Sequence, residues 1–550
     1  MSAQPTAQPE RELTRGVIVA LLAMGLAVFV IANDVTALSV ALPNIEKDFD
    51  ADVSTVQWVI NAYALIFGVL IVTGGRLADM FGRKRIFFIG SAIFALFSLA
   101  GGLSQSVDAL IVSRALMGIG GAMMWPAVLG MTYAALPEDK AGLAGGLIIG
   151  AAGFGNAAGP LLGGFITDTF GWEWVLFLNL PIAAVACLAT WRAIHQPEDQ
   201  ERERIDYAGI ATLSVSLIAL LVALDQAPDY GWGDPRTIGL FALFVVLLAM
   251  FAVIERRAGS RALIPRDVMA NREFRSACIA VLLLSATFFA ALLYLPQFMQ
   301  KILGYSPLQA GAGLLPMMAT FAIVSFAAGP LYNRVGAKLV IATGAGCLTV
   351  GMVLLSLIQT GSTYTALLPG MIVLGIGIGL FYSAITTAGV TALDPSRASL
   401  AGGIVYMFQI AGGSVGLGLT TTVFITASQS KFKSDVATAK AGLSSADRNA
   451  VEGVLSGTDS AAQVIARFSR TVADQLVEII RNAFTHGMSW GFRFDALLAF
   501  GGFLVATLFV GGRLRRPGGA GDEPEAPGAA GAPDGSGAPD GPGAPGAAGA

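Results

Sequence analysis

Apolar runs of about 20 residues recur through almost the whole chain, and they restrict the possible fold more than any other feature. Such runs are found at 16–42, 53–75, 85–104, 108–134, 142–166, 173–194, 206–225, 236–255, 276–299, 308–330, 338–358, 364–391, 399–427 and 488–511. Lipid cannot hydrogen-bond an open backbone, so each run is predicted to be a transmembrane helix. The composition agrees, because only 13% of the residues are charged, about half the share of a soluble domain. We therefore expect an all-α integral membrane protein with fourteen spans.

The charged residues between the runs predict how the helices are oriented. If the N-terminus lies inside the cell, most of the 34 Lys and Arg fall in cytoplasmic segments, as the positive-inside rule requires. The stretch GGRLADMFGRKR (74–85) is then a short cytoplasmic loop, and both termini are cytoplasmic. A net charge of −3 is too small to indicate a nucleic-acid partner. Arg outnumbers Lys 26 to 8, which favours a bacterial source with a GC-rich genome.

An internal repeat divides the chain. LAGG occurs at 143–146 and again at 400–403, an offset of 257. At an offset of 254, GRLADMFGRK (75–84) aligns with GPLYNRVGAK (329–338). Matches at nearly one offset indicate duplicated halves. Paired halves with a site between them are typical of secondary transporters.

The predicted organisation has five parts. They are a cytoplasmic N-terminal segment (1–15), a six-helix half (16–200), two inserted helices (201–260), a second six-helix half (261–512) and a tail (513–550). The second half includes an outer loop, 428–487, where apolar residues at helical spacing predict an amphipathic helix on the outer side. The tail is rich in Pro, Gly and Ala without a strict period, which predicts disorder.

Asp34 and Arg114 stand inside apolar runs. Such a charge at the bilayer centre costs about 2.5–3.5 kcal/mol on insertion scales, so residues of this kind normally face an interior cavity. A carboxyl kept from water can bind a proton from one side and release it to the other, whereas Arg stays charged. We expect Asp34 to carry protons. A static ion pair between the two side chains is the alternative.

Two further groups of residues combine glycine with a functional neighbour. Gly75 and Gly82 permit a tight turn and a close helix approach, and Asp79 is placed to cap a helix or to pair with Arg83. In the fifth run, glycines spaced by four residues share one helix face, and a proline locally weakens the helix. These residues are Gly155, Gly159, Pro160, Gly163 and Gly164. Topogenic charge and ordinary small-residue packing are the simpler interpretations of the two groups.

These motifs resemble those of the major facilitator superfamily. GRLADMFGRK (75–84) resembles the signature of its loop between helices 2 and 3, and GNAAGPLLGG (155–164) resembles its fifth-helix antiporter motif. DVT (34–36), followed by VALP (40–43), is similar to a motif of the fourteen-span drug:proton antiporter branch. The resemblance covers roughly 14–512 and implies the major facilitator fold.

The resemblance also implies roles for these residues. Asp79 and Arg83 would latch the two halves on the cytoplasmic face, and Arg114 would modulate the proton path. The motif of the fifth helix would form a pivot or seal that favours export. The second-half copy of the loop signature has Asn333 in place of Asp79, so only the first copy is expected to supply a charged latch.

The implied function is export of a small amphipathic drug or antibiotic in exchange for protons, at the cell membrane and as a monomer. Aromatic residues with a few polar groups suit such a ligand. The candidate cavity residues are Asn33, Asn61, Tyr63, Trp125, Tyr294, Gln297, Tyr382 and Gln409. Transport of a metabolite and a non-transporting receptor or scaffold remain as alternatives.

Enzymatic and cofactor-dependent functions are not indicated. The sequence has no phosphate-binding G-x-x-x-x-G-K-[ST] loop and no Cys or His spacing for a metal. Its cysteines, Cys187, Cys278 and Cys347, all lie inside apolar runs, where they are expected to be small core residues. We therefore expect neither an enzyme nor a cofactor.

Overall fold

The computed structural model describes residues 15–51, 53–194, 206–259, 262–438 and 470–510. Within these ranges the long helices are α1 (Arg15–Phe49), α2 (Val53–Phe81), α3 (Arg83–Gly102), α4 (Val107–Ala135), α5 (Ala141–Phe170), α6 (Glu173–Ala193), α7 (Tyr207–Tyr230), α8 (Pro235–Ala258), α9 (Arg272–Lys301), α10 (Leu315–Val335), α11 (Ala337–Ser356), α12 (Tyr364–Thr391), α13 (Ala398–Thr438) and α14 (Arg470–Phe509). Short helices span Glu138–Lys140, Arg266–Ala270, Pro307–Gly313 and Pro395–Arg397. No strand occurs in the described ranges.

Fourteen helices in the described part of the chain are long and apolar enough to cross a membrane. The predicted number of spans and the all-α class are therefore confirmed. The helices end where the chain supplies turn residues. Gly82 and Gly336, which are related by the offset of 254, both have positive φ, at 99° and 89°. Glycine tolerates this backbone, so it allows a sharp turn from α2 into α3 and from α10 into α11.

The segment predicted as an outer loop, 428–487, is helical at both of its ends. α13 continues to Thr438 and α14 begins at Arg470, so both helices are longer than the apolar runs suggested. The cause is the amphipathic spacing itself, because Leu476, Ile479 and Ala483 are buried at intervals of three and four residues. This stretch therefore extends a spanning helix. The remainder, 439–469, lies outside the described residues, as do 1–14 and the predicted disordered tail.

The two halves meet along two helix pairs that the internal repeat relates to each other. α2 packs against α13, and α10 packs against α5. A Cβ added to Gly403 of α13 would lie 2.8 Å from the carbonyl oxygen of Ile71 in α2. A Cβ added to Gly146 of α5 would likewise lie 2.8 Å from the carbonyl oxygen of Ser325 in α10. The repeat in the sequence thus corresponds to a pseudo-symmetric interface of closely packed backbones.

The inserted helices α7 and α8 pack against each other, and α7 also contacts α2 and α13. α8 exposes many large apolar side chains, among them Val245, Val246 and Val253. An apolar helix with such an exposed surface is stable next to lipid. The pair therefore lies at the edge of the bundle, outside the interface where the two halves meet.

Candidate functional site

A buried polar network joins three helices of the first half. The Arg114 guanidinium in α4 donates through Nη1 to Asp34 Oδ2 in α1, at 2.5 Å. Asn179 Nδ2 in α6 donates to the other carboxylate oxygen, Asp34 Oδ1, at 2.7 Å. All three residues have 0% exposure. These three side chains are named the Asp34 network below.

Neighbouring groups hold Arg114 but leave several polar atoms without partners. Its Nε donates to the carbonyl oxygen of Val59 at 3.0 Å, and its guanidinium lies 4.5 Å from the ring centroid of Tyr63. Arg114 Nη2, the Tyr63 hydroxyl and both polar atoms of the Asn33 amide have no hydrogen-bond partner among the described residues. Leaving buried polar atoms unpaired costs about 1–3 kcal/mol each. The described residues therefore satisfy the polar atoms of the network only in part.

The glycine face of α5 packs on the part of α1 that carries Asp34. A Cβ on Gly155 would lie 2.8 Å from the carbonyl oxygen of Phe29 and 3.1 Å from the backbone nitrogen of Asn33. Cβ atoms on Gly159 and Gly163 would overlap Thr36 and the backbone of Ala37. Any larger residue would push α5 away from α1. The predicted motif thus fixes the distance between α5 and the helix that carries Asp34.

The C-terminal end of the same motif approaches the second half. A Cβ on Gly164 would lie 2.9 Å from the Leu308 side chain, and one on Gly311 would lie 3.4 Å from Pro160. Leu308 and Gly311 belong to the short helix Pro307–Gly313 that precedes α10. α5 therefore contacts α1 with one face and the second half with another.

Asp79 and Arg83 join the two halves at the end of α2. Asp79 accepts hydrogen bonds from the backbone N–H groups of Ser399 at 3.3 Å and Leu400 at 2.7 Å, at the start of α13. Arg83 Nε donates to Asp79 Oδ1 at 3.1 Å, and its Nη2 donates to the carbonyl oxygen of Pro395 at 2.6 Å. The carboxylate lies at a helix N-terminus, where the dipole favours negative charge. Asp79, Arg83 and these backbone groups are named the Asp79 latch below.

The repeat-related position carries a neutral version of this contact. Asn333 Oδ1 at the end of α10 accepts a hydrogen bond from the backbone N–H of Gly142, at the start of α5, at 3.2 Å. A Cβ on Gly75 would lie 2.6 Å from the carbonyl oxygen of Ser399, and one on Gly329 would lie 2.6 Å from that of Gly142. Both contacts lie on the face that the charge pattern predicts to be cytoplasmic, and both join the two halves there.

A small cavity lies between the halves. Its lining residues are Trp125, Leu129, Ile149, Thr386, Gly402, Val405, Tyr406 and Gln409. Its volume of about 10 Å³ is enough for about one water molecule. Trp125 and Tyr406 approach each other from opposite halves, with ring centroids 4.5 Å apart. In this conformation, called closed below, aromatic side chains of the two halves meet beside the cavity.

Of the predicted cavity residues, Trp125 and Gln409 line this cavity. The others lie elsewhere in the bundle. The Tyr294 hydroxyl donates to Thr421 Oγ1 at 2.8 Å, and the Tyr382 hydroxyl donates to Ser285 Oγ at 3.1 Å. Asn33 and Tyr63 lie beside the Asp34 network. Asn61 and Gln297 are partly exposed and do not line the cavity.

Sequence reasoning did not single out Asn179, Tyr406 or Asp495. All three stand in apolar runs, so each was recognisable as a polar residue in a span. Nothing in the sequence showed that Asn179 contacts Asp34, because the two are 145 residues apart. Asp495 is fully buried in α14. The cost of a charge in an apolar run applies to Asp495 as well as to Asp34, but only Asp34 is also part of a recognised motif.

Comparisons with known proteins agree with this geometry. A model of the Major Facilitator Superfamily matches residues 24–417. The tetracenomycin C resistance and export protein of Streptomyces glaucescens is 32% identical over 72% of this chain and 74% of its own length. The puromycin resistance protein pur8 of Streptomyces alboniger is 34% identical over 74% of this chain and 81% of its own. Multidrug resistance protein 3 of Bacillus subtilis is 28% identical over 92% of this chain and 96% of its own length.

A solved structure shows the same fold. The human organic anion transporter MFSD10 (TETRAN) matches with a TM-score of 0.56 and 13% identity, over 91% of this chain and all of that one. The chain therefore belongs to the major facilitator superfamily, whose members are membrane transporters. It is a multi-pass membrane protein with two six-helix halves and two inserted helices. The resemblance inferred from its motifs is confirmed.

Proposed function

We propose that this protein exports a small amphipathic drug or antibiotic across the cytoplasmic membrane, driven by protons that move inward. Relatives named for resistance to, or export of, tetracenomycin C, puromycin and several drugs support the substrate class. The observation that carries the proton coupling is the Asp34 network. It places one carboxylate out of water against one guanidinium, deep in the first half.

Protonation of Asp34 changes the balance of this network. In the ionised form, both carboxylate oxygens accept hydrogen bonds, from Arg114 and from Asn179. Breaking a buried ion pair by neutralising one partner is costly, about 3–5 kcal/mol, because the other charge loses its partner. Protonation of Asp34 therefore favours arrangements in which the Arg114 guanidinium, including its unpaired Nη2, donates to other acceptors. Such arrangements require the helices to shift.

α5 carries such a shift to the other half. Its face at Gly155 and Gly159 packs on α1 around Asp34, and its face at Gly146 packs on α10. Backbone-to-backbone packing leaves little room for compression, so a displacement of α1 moves α5 as a rigid element. We infer that this chain of contacts couples proton binding to the rocking of the halves.

The Asp79 latch holds the closed state of the predicted cytoplasmic face. Transport requires the latch to open, the cavity to widen, and drug to enter from the cytoplasm before the outer face opens. The aromatic residues Phe67, Trp125 and Tyr406 form a continuous cluster, with centroids 4.5 to 6.3 Å apart. Parting of these rings would give flat apolar walls that suit an aromatic, amphipathic ligand.

Drug susceptibility in a bacterial host that lacks its own efflux pumps tests this function. We expect expression of the protein to raise the inhibitory concentration of several amphipathic drugs, and a protonophore to abolish the increase. Asp34→Asn should remove the protection at equal membrane expression. Asp234→Asn is the matched control, because Asp234 caps α8, away from the halves' interface, and the amide can keep the cap.

The outcomes separate the alternatives. Protection that survives the protonophore would refute proton coupling. A protein that reaches the membrane and protects against no compound, but moves a metabolite in vesicles, would instead support metabolite transport. Absence of any flux in vesicles would favour a receptor or scaffold.

A further inference from the structure

The second half contains a buried carboxyl of its own. Asp495 lies in α14 with 0% exposure. Its Oδ1 is 2.7 Å from the Thr420 hydroxyl of α13. Its Oδ2 has no hydrogen-bond partner among the described residues. Asp34 has a guanidinium beside it, whereas Asp495 has a single hydroxyl.

The hydrogen bonds around Thr420 are compatible with a protonated Asp495. Thr420 Oγ1 lies 2.8 Å from the carbonyl oxygen of Gly416 and 2.7 Å from Asp495 Oδ1. A hydroxyl has one hydrogen to donate, so it cannot satisfy two acceptors. If Thr420 donates to Gly416 within its own helix, Asp495 must supply the hydrogen for the other contact. A protonated carboxyl does this, and an ionised one cannot.

The helices around α14 offer no compensating positive charge. α9 contributes the Tyr294 ring, whose hydroxyl donates a hydrogen bond to Thr421 Oγ1. On α9, the cation that follows Tyr294 is Lys301, seven residues later and therefore roughly 10 Å away along the helix axis. On α13, the cation that follows Thr420 is Lys431, eleven residues later and roughly 16 Å away along the helix axis.

The remaining neighbours of α14 place no positive charge next to Asp495 either. α11, which also packs against α14, has Lys338 at its start and Cys347 as its titratable residues. On α14 itself, Arg493 is exposed and lies over the Trp490 ring, 5.0 Å from the centroid. No ion pair to Asp495 occurs in the parts of the chain that the structure describes.

We propose that Asp495 is a second proton-binding site of the transporter, located in the half that lacks the Asp34 network. It holds its proton in this closed conformation and exchanges it with water when the halves move. The step is a simple transfer, in which the carboxylate takes a proton from hydronium and water is left. Along α13, Thr420 lies eleven residues, and so roughly 16 Å, from Gln409 in the direction of the predicted outer face. In this proposal, protons reach Asp495 from the predicted outer face.

This inference rests on the proposed proton-driven export, and vesicle measurements test both. Purified full-length protein is reconstituted, a pH difference of about one unit is imposed without a membrane potential, and the accumulation of a fluorescent amphipathic drug is measured. Each coupled proton contributes about a tenfold concentration ratio per pH unit. Asp495→Asn imitates the neutral carboxyl and keeps the contact with Thr420. We expect it to lower the accumulation ratio about tenfold while drug exchange without a gradient continues.

The control is Asp435→Asn, because Asp435 is an acid of the same half in a partly exposed pair with Lys431. It should leave the ratio unchanged. An Asp495→Asn ratio equal to that of the wild type would overturn the inference. If the wild type itself shows no accumulation driven by the pH difference, the proposed function fails.

Infrared difference spectroscopy keeps the test decisive if Asp495→Asn does not insert, or if transport is absent. We expect a protonated-carboxyl band in the wild-type protein at neutral pH. Thr420→Val should shift this band, because the substitution removes the hydrogen-bond partner of Asp495 Oδ1. Asp435→Asn should not affect it. Absence of a band that responds to Thr420→Val would show that Asp495 is ionised and would refute the proton site.

Discussion

Asp79→Asn is the substitution that most directly perturbs the closing of the predicted cytoplasmic face. The Asp79 carboxylate is almost fully buried and accepts hydrogen bonds from Ser399, Leu400 and Arg83. An amide of the same shape has one acceptor oxygen in place of two and carries no charge. It can keep the N–H of Leu400, but it loses the bond from the Ser399 N–H, which joins the two halves, and the pairing with Arg83 within the first half.

The expected magnitude follows from this loss. A hydrogen bond to a charged group contributes about 1.5–3 kcal/mol. Losing one changes the ratio of closed to open latch by about 10- to 150-fold. The open form should therefore become much more populated, and drug export should fall because one face no longer closes. Arg83 would keep its bonds to Gly130 and Pro395, so the fold should survive.

Thiol accessibility measures this shift. Thr386 lines the cavity and is nearly inaccessible in the closed form. A single Thr386→Cys is introduced after Cys187, Cys278 and Cys347 are replaced by Ser. A membrane-impermeant thiol reagent is then added to inside-out vesicles, in which the predicted cytoplasmic face is reachable. We expect labelling to be about 10- to 150-fold faster with Asp79→Asn than without it.

Asp394→Asn is the matched control. Asp394 is exposed and lies on the same face. Its side chain accepts a hydrogen bond from the Ser396 N–H and so caps the short helix Pro395–Arg397, a role that Asn also performs well. It should leave both labelling and export unchanged. Equal labelling rates for Asp79→Asn and its parent would refute the latch, whatever the effect on export.

Three further outcomes are expected. Asp34→Asn should lower the pH-driven accumulation of drug in vesicles about tenfold per pH unit, because one of the two proposed proton-binding carboxyls is lost; accumulation equal to that of the wild type would contradict this. Gly163→Ala should overpack against α1, at a cost of about 1–3 kcal/mol, and should lower both the melting temperature and export. The control, Gly239→Ala, should change neither quantity, because a Cβ there meets nothing within 4 Å. Asn333→Asp should strengthen the bond from the Gly142 N–H by charge and slow Thr386→Cys labelling; faster labelling would oppose the proposed symmetry of the two contacts.

Much of the fold could be predicted from the sequence because lipid leaves few choices. Long apolar runs must be helices, and their number gave the fourteen spans. The repeat offset of 257 relates Gly146 to Gly403, and in the structure the two glycines have equivalent surroundings. The ends of α13 and α14 were less predictable, since a polar stretch can extend a helix above the bilayer when its apolar side is buried.

The site was predictable only where a motif marked it. Asp34 and Arg114 could be chosen by their cost in an apolar run, and the alternative of a buried pair describes their geometry in this closed state. The third member, Asn179, depends on how α6 is rotated, which single-sequence patterns do not fix. The same applies to the cavity, where Tyr406 meets Trp125 from the other half.

The most direct test of proton-driven export is the simultaneous recording of drug and proton fluxes in vesicles that contain the purified protein. Adding an amphipathic drug on the side of the predicted cytoplasmic face should release protons on that side as the drug leaves it. The number of protons released per drug molecule should fall with Asp34→Asn. Drug movement without any accompanying proton movement in the wild-type protein would contradict the proposed mechanism.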